Sequence, residues 1–413
     1  YSWSKYFIVL PIKKFFINTF NKKNVGLPQV YLFISEKSQE KLLNKTPKST
    51  KQWVGGSLLN TNGNLQKIQI RYRGDNPRNW LFEKKSLRIK TRKRETFEGR
   101  RYFEYWPFNL RLFVPSSIAN RMKILASKLK LVELFINGKS KGVFIEQERI
   151  DENFLRRNKI MPINLYKGEN FNVETLIGID DNLLNNPGLW TKSAIFNQRK
   201  DVNNLDLKYF LSIVQSAETR DQDFKELLNN INISTWARFS AYTILTQNYH
   251  HDSRHNLRLA IDPWTGYVYP IIVDPYFRNH FKGKKNSGIY PLELSNNDLI
   301  TLLNRSSMFI DAKYKELFEY TVKSTVLSEE IDNLKNLYND LKISARRDPE
   351  INFNKLLEDI EIYKKDLKEI ENLIKQKLHL KPVSTWKKNS KNIDIFIEGE
   401  LPISDIQINF SSQ

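Results

Sequence analysis

Residues 248–277 read NYHHDSRHNLRLAIDPWTGYVYPIIVDPYF. The chain has five histidines, and His250, His251 and His255 fall within six residues of one another in this stretch. Asp252 sits among them, and Asp274 ends an apolar run. LRLAI alternates apolar and polar positions, DPWTG carries the Pro and Gly of a turn, and YVYPIIV is strand-like. The pattern predicts a hairpin that returns Asp252 and Asp274 to one end of a two-stranded ribbon. Two carboxylates with an amide and imidazoles beside them can hold a cation or perform acid–base chemistry.

Working back toward the N-terminus, 234–247 has helical spacing with Ser234 placed as its cap, and it delivers the chain into the ribbon. The segments 205–217 and 224–230 are helical by the same criterion. Further back the pattern changes. Residues 29–35 are strand-like, Gly55-Gly56 and Asn62-Gly63 read as turns, and 67–73 alternates strictly, with Ile68, Ile70 and Tyr72 on one face and Gln69, Arg71 and Arg73 on the other. A turn at Arg73-Gly74 separates it from a second alternating strand, SLRIKT, preceded by Lys84 and Lys85. SSIANRMKILASK (116–128) predicts a helix capped by a hydroxyl. KLVELFINGKSKGVFIEQE predicts a hairpin across Asn137-Gly138, DENFLRRN a short helix and INLYKG a short strand. After the ribbon, HFKGKKNSG reads as a mobile loop, helices dominate to about residue 378, and 354–378 is amphipathic. Beyond Pro382 the pattern returns to strands.

The length of 413 residues allows one large or two smaller domains, and 40% apolar with 12% aromatic residues describes a folded chain. The net charge of +20 favours anionic partners. The absence of cysteine excludes disulfides, thiolate metal sites and cysteine nucleophiles. Residues 6–17 are too short and too charged to span a bilayer. Tyr1 and the strand-like end read as the edges of a piece of a longer protein, with 1–28 a remnant of a signal or anchor region, 29–380 the main domain and 381–413 the start of a β-rich module.

Nucleotide-dependent phosphoryl transfer unites these pieces. It needs a cation on the phosphates, oxygen ligands for that cation, a lysine on the phosphates and a carboxylate near the attacking hydroxyl. Asp274 and the Asn256 amide suit a hard cation, and Asp252 is the candidate base. Lys84 and Lys85 are the lysine candidates, with Glu148 as the partner that fixes the lysine; Glu146 shares its strand face. Lys167 is a weaker phosphate candidate. Two other readings compete. His251, His255 and Asp274 could form a zinc site for hydrolysis, though DSR between the histidines lacks the glutamate of an HExxH helix. The chain could also be a cell-surface binding or assembly module holding an anionic polymer such as an acidic glycan. Nucleic acid ranks last, because the strands show no aromatic stacking platform.

Several ordered blocks resemble the spore coat protein H (CotH) kinases, atypical secreted protein kinases: 70–90 (IRYRGDNPRNWLFEKKSLRIK), 133–155 (ELFINGKSKGVFIEQERIDENFL), 164–169 (NLYKGE), and HHDSRHN through PIIVDP. The resemblance implies an α+β, kinase-like two-lobe domain with a β-rich N-terminal half and a mainly helical C-terminal half. It implies ATP with Mg²⁺ or Mn²⁺, a surface or envelope protein as the substrate, phosphorylated on Ser/Thr hydroxyls, and an extracytoplasmic location. Carried over by position, Asp252 is the catalytic aspartate, Asp274 and Asn256 hold the metal, Lys85 ahead of Lys84 meets phosphate, Glu148 matches the family's strand glutamate and Arg73 its Arg-Gly turn. Where the family often has Trp-Asp-x-Asp/Glu, this chain has Val273-Asp274-Pro275-Tyr276, and the paired serines common after the Arg-Gly turn are replaced.

Overall fold

The computed structural model describes residues 26–44, 52–60, 62–74, 79, 82–169, 181–193, 204–248, 250–275, 295–324, 326–348, 350–379, 383–388 and 393–398. Residues 6–17 and the loop 280–288 lie outside the described residues. The chain forms two compact units, one built from Tyr1–Phe113, Lys128–Arg149 and Asp332–Glu361, the other from Val114–Ser127, Ile150–Ile331 and Ile362–Gln413. The β-rich N-terminal half and the helical C-terminal half are both present. The division is not a single cut, however: the helical stretch Asp332–Glu361 belongs with the strands.

In the first unit, β1 (Gln29–Phe33), β2 (Val54–Leu59), β3 (Leu65–Tyr72), β4 (Leu87–Thr91), β5 (Tyr102–Pro107), β6 (Leu129–Ile136) and β7 (Lys139–Gln147) close into a barrel in the order β1-β2-β3-β4-β5-β7-β6. Closure is made by the parallel pairing of β1 with β6. Strict alternation puts Ile68, Ile70, Tyr72, Leu87, Ile89, Phe103 and Tyr105 in the barrel core. The opposite parity forms an outward row across four strands, in which Arg71 pairs with Arg88, Arg88 with Glu104, and Glu104 with Gln147. Asn137 (φ 51°) and Gly138 (φ 80°) make the expected hairpin turn. Gly55-Gly56, expected as a turn, instead lies inside β2. A Cβ on Gly56 would sit 2.9 Å from the Phe33 carbonyl oxygen and 2.7 Å from Ile70 Cδ1, so glycine is what lets β1 and the core approach this strand.

In the second unit, β8 (Asn164–Gly168), β9 (Trp190–Lys192), β10 (Leu257–Ile261) and β11 (Val268–Pro270) form an antiparallel sheet in the order β11-β10-β8-β9. Helix Ile233–Thr246 buries Trp236, Phe239 and Tyr242, and the Trp236 indole N–H donates to the Val268 carbonyl at 2.7 Å, which fixes the helix to β11. Helix Ser307–Phe318 packs along it, and Arg238 grips Glu316 at 2.9 and 3.0 Å.

Two expected caps differ. Asn232, not Ser234, caps Ile233–Thr246 by accepting the Thr235 N–H at 3.0 Å. The helix expected over 116–128 runs over Leu110–Arg121 and holds Pro115. Residues 122–128 leave it because Lys123 takes a left-handed conformation (φ 55°), which ends a helix. Helix Phe353–Leu378 buries Leu356, Ile360, Tyr363, Leu367, Ile370 and Ile374 at alternating spacings of four and three, as its amphipathic pattern requires. The strands beyond Pro382 are β12 (Val383–Lys388) and β13 (Ile393–Glu398), an antiparallel pair.

Candidate functional site

The ribbon forms the expected antiparallel hairpin, with Asp262 and Gly266 closing the turn, but of the strand expected over 267–273 β11 covers only Val268–Pro270. Gln247 ends the preceding helix in a left-handed cap (φ 49°). The chain then enters the buried pair Asn248 and His251. The Asn248 side-chain oxygen accepts the His250 N–H at 3.1 Å, which orients the amide so that its NH₂ donates to His251 Nδ1 at 2.9 Å. That leaves the proton on Nε2, which donates to the Val273 carbonyl at 2.6 Å. Burial pushes the His251 pKa down to about 3, with only partial relief from the Val273 bond, so the ring is neutral. Both ring nitrogens are thus committed to protein partners, and His251 cannot serve as a zinc ligand.

Asp252 uses Oδ1 to accept the N–H groups of Arg254 (2.8 Å) and His255 (2.7 Å), and His255 Nδ1 lies 3.3 Å from the same oxygen. This turn aims the carboxylate while Oδ2 makes no hydrogen bond among the described residues. Asn256 is held in a left-handed conformation (φ 55°), and its NH₂ donates to His250 Nδ1 at 2.6 Å, so the amide oxygen faces away from that contact. Asp274 also has a left-handed backbone (φ 49°), at the end of a segment pinned by the Ile271 N–H on the Arg258 carbonyl (3.0 Å) and the Ile272 N–H on the Leu125 carbonyl (2.7 Å). Both candidate ligand positions thus carry a left-handed backbone, which asparagine and aspartate tolerate better than most residues with a Cβ.

Glu169 was not picked out from the sequence. It follows β8, where Gly168 pairs with Leu257, and its carboxylate accepts the Asn256 backbone N–H. Burial raises its pKa against the opposing charges of Lys167, His255 and Arg258. Lys167 therefore stands beside Glu169 at the same sheet end as Asn256. The register between β8 and β10 brings them together, and no local pattern announces it.

In the barrel unit, the Arg73–Gly74 turn is closed by the Arg73 N–H on the Ser86 carbonyl (2.9 Å) and the Ser86 N–H on the Asn79 carbonyl (2.8 Å). Gly74 has φ +93°, and a Cβ there would overlap the Asn79 side chain. Arg73 Nε is hydrogen-bonded to Glu104 and its guanidinium lies 3.7 Å from the centre of the Trp106 ring. Arg88 meets the other Glu104 oxygen at 2.6 Å. Burial alone would raise the Glu104 pKa, but Arg73, Arg88 and Arg149 bring it down to about 2. One carboxylate thus anchors two guanidiniums, with the Arg149 charge acting on it from further off, leaving a net positive cluster suited to phosphate oxygens. Arg88, Glu104 and Arg149 were absent from the sequence-based set; the alternation of SLRIKT does put Arg88 on the same face as Arg71.

The two lysines separate cleanly. Lys84 is 2% exposed, with its ammonium on Asp348 (2.5 Å) and on the Val143 carbonyl (2.8 Å). Lys85 is partly exposed and donates to the Phe82 carbonyl at 2.7 Å, with Glu350 and Glu83 as its nearest carboxylate influences. The expected pairing with Glu148 is not formed: Glu148 accepts the Lys128 N–H at 3.1 Å. Glu146 is occupied as well, by Arg100 at 2.6 Å and the Tyr105 hydroxyl at 3.0 Å. The physical reason is the closed barrel. Position 146 shares the interior row with Tyr105, and Glu148 has already passed the end of β7.

A family model described as CotH kinase protein matches residues 70–380. The chain belongs to the CotH kinase protein family. Inner spore coat protein H of Bacillus subtilis (strain 168) is 23% identical over 306 residues, covering 71% of this chain and 82% of that protein. Among solved structures, the HipA complex with HipB and operator DNA from Shewanella oneidensis MR-1 aligns over 87% of this chain and 76% of its own, at 10% identity and a TM-score of 0.29. The Helicobacter pylori proinflammatory kinase CtkA aligns over 78% and 94%, at 11% identity and a TM-score of 0.24. The CotH match takes in the end of β3, the Arg73–Gly74 turn, the Glu104 cluster and the whole 248–275 ribbon, so each candidate residue of both units falls within it. Among the described residues, no group of three or more His, Asp or Glu side chains is arranged to hold a metal ion. No helix among them is long and apolar enough to cross a membrane.

Proposed function

We propose that this CotH family protein is an ATP-dependent protein kinase that transfers the γ-phosphate to Ser or Thr hydroxyls with the help of Mg²⁺ or Mn²⁺. The observation that carries the reading is the ribbon. Its turn engages Asp252 through Oδ1 and Asn256 through its NH₂, and Asn256 and Asp274 are left-handed. This supports Asp252 Oδ2, the Asn256 amide oxygen and the Asp274 carboxylate as the reacting and ligand groups. The donor set fits a hard divalent ion, which takes oxygen ligands and completes its shell with phosphate and water; two protein oxygens, from Asp274 and Asn256, therefore suffice. Such an ion, when bound, neutralises charge developing on the phosphate oxygens.

The protein's own groups do the rest. Asp252 Oδ2 accepts the proton of the attacking hydroxyl, while its Oδ1 stays in the turn that holds the carboxylate in place. His255, 3.3 Å from Asp252, reinforces that orientation. Within the barrel unit Lys85 and the arginines around Glu104 are the candidates for phosphate oxygens, and within the second unit Lys167 is. Lys84 has a structural role in this scheme, and Glu169 orients Asn256 through its backbone N–H. The substrate is a surface or envelope protein and the location extracytoplasmic, by analogy with the spore coat relative.

Purified protein incubated with γ-labelled ATP and Mg²⁺ or Mn²⁺ should label itself or a generic protein substrate, and Asp252→Ala and Asp274→Ala should not. Labelling that survives either change refutes the assignment. ATP with Mg²⁺ should also raise the melting temperature more than ATP alone. A fold retained for assembly, without nucleotide binding, would show no such rise.

A further inference from the structure

We infer that the barrel carries a second anion-binding site, a groove at the other end of β3 and β4 from the Arg73–Gly74 turn, whose occupant is an acidic polypeptide segment. The groove has a volume of about 1580 Å³ and is lined by Lys37, Lys67, Lys90, Arg92, Lys93 and Arg101, with Glu36 as the carboxylate among its walls. It lies where Ile68 pairs with Thr91, whereas the Arg73–Gly74 turn follows the pairing of Tyr72 with Leu87. Four residues along a strand separate the two ends, roughly 13 Å at about 3.3 Å per residue. The phosphate-binding candidates at the far end are therefore a different cluster.

The cations are poorly compensated. Lys37, Lys67, Arg92 and Lys93 are exposed, and Arg92 reaches Glu95 only at 4.0 Å. Lys90 is held 4.2 Å from the centre of the Trp53 ring, which places its charge without neutralising it. Arg101 Nε is buried and makes no hydrogen bond among the described residues. Six like charges around one concavity repel one another, and an anion that enters relieves the repulsion as well as gaining its own contacts. Ser35 and Ser57 are also among the lining residues, and Gly55 has open space where a side chain would stand.

Charge alone would also suit a single-stranded nucleic acid or a sulfated glycan. A single strand, however, takes much of its affinity from several bases stacked on successive open rings, and a sulfated glycan brings no apolar side chain for a hydrophobic patch. Tyr31 is buried and stacked on Phe135 at 4.6 Å, and Trp53 is covered by Lys90 and by Arg71 at 4.9 Å. Half-buried Phe33 and buried Ile34 offer instead a small apolar patch beside the lysines. The volume exceeds the roughly 300–1,000 Å³ of small-molecule sites and suits a length of extended chain. In the kinase reading this groove would recruit substrates bearing acidic segments, but its occupancy requires no phosphoryl transfer.

The test is fluorescence anisotropy with a labelled Glu/Ser peptide and no nucleotide, competed by a single-stranded oligonucleotide and by a sulfated glycan of equal charge. Saturable binding that weakens with added salt is expected. The combined change Lys67→Glu, Arg92→Glu and Lys93→Glu should weaken it about tenfold or more, and Lys85→Ala should leave it unchanged. If circular dichroism shows the triple variant unfolded, Lys67→Gln with Lys93→Gln replaces it, with about a threefold loss expected. No peptide binding, equal affinity in the folded variant, loss in Lys85→Ala, or tighter binding of the oligonucleotide or glycan overturns the proposal. Failure of ATP labelling with peptide binding intact would fall on the kinase reading alone.

Discussion

His251 Nε2 donates to the Val273 carbonyl oxygen at 2.6 Å, and each of these residues immediately precedes a candidate carboxylate, Asp252 and Asp274. One hydrogen bond thus sets the separation of the proposed base and the proposed metal ligand. It is buried, and water cannot substitute for it.

The pH dependence of stability follows from that burial. The unfolded chain takes up the His251 proton near 6.5, whereas the folded protein resists it until about pH 3. This contribution to stability is complete above pH 6.5 and is lost as pH falls from 6.5 toward 3, by about 1.4 kcal/mol per unit at most. Urea melts between pH 7 and 5 should show the decline, and His251→Gln should flatten it while lowering the value at pH 7.

Asp274 should trade stability for function. With φ 49° it occupies a conformation that costs a residue with a Cβ roughly 1–2 kcal/mol, less for aspartate than for most. Asp274→Gly should therefore be as stable as the parent, or more stable by up to about 1 kcal/mol, in urea titration. The same variant should lose the extra thermal stabilisation that Mg²⁺ adds to ATP. A marked loss of stability would mean that the carboxylate is a structural group.

Adjacent lysines should behave differently. Lys84→Ala leaves Asp348 buried and uncompensated, 0% exposed at its side chain, and should cost about 3–5 kcal/mol. Lys85→Ala should change stability by less than about 1 kcal/mol and weaken ATP–Mg²⁺ binding in calorimetry. The reverse pattern would transfer the phosphate role to Lys84.

Glu169→Gln tests the residue that the β8–β10 register revealed. The amide still accepts the Asn256 N–H but carries no charge beside Lys167 and His255. Metal-dependent ATP affinity should fall several-fold, with about a 1 kcal/mol change in stability at most. Unchanged affinity across the Mg²⁺ and Mn²⁺ series would remove Glu169 from the site.

Much of the ribbon was legible before any coordinates, since alternation, a Pro–Gly turn and two terminal carboxylates lie within one short segment and depend on local geometry. The barrel strands were legible for the same reason: period-2 patterning at 67–73 and 87–91 specifies which face is buried. Partner choices across the sheet were not. Glu148 looked like the lysine's partner because it ends an apolar strand, yet Lys84 is neutralised by Asp348, which lies 264 residues away in sequence. Gly55-Gly56 looked like a turn, yet both lie inside a strand, where the close approach of Phe33 and Ile70 requires the second glycine.

The sequence by itself determined the family blocks, the strand and helix periods, and that the candidate residues Asp252, Asn256 and Asp274 flank the strands of one hairpin. Only the tertiary structure decided that Glu104 gathers Arg73 and Arg88, that Glu169 stands beside Asn256, and that Lys84 is locked in a buried pair. Local patterns encode which side of an element faces the core, because that depends on residues two or four apart. Charge pairing and pKa depend on register and long-range closure, which no window of neighbouring residues contains.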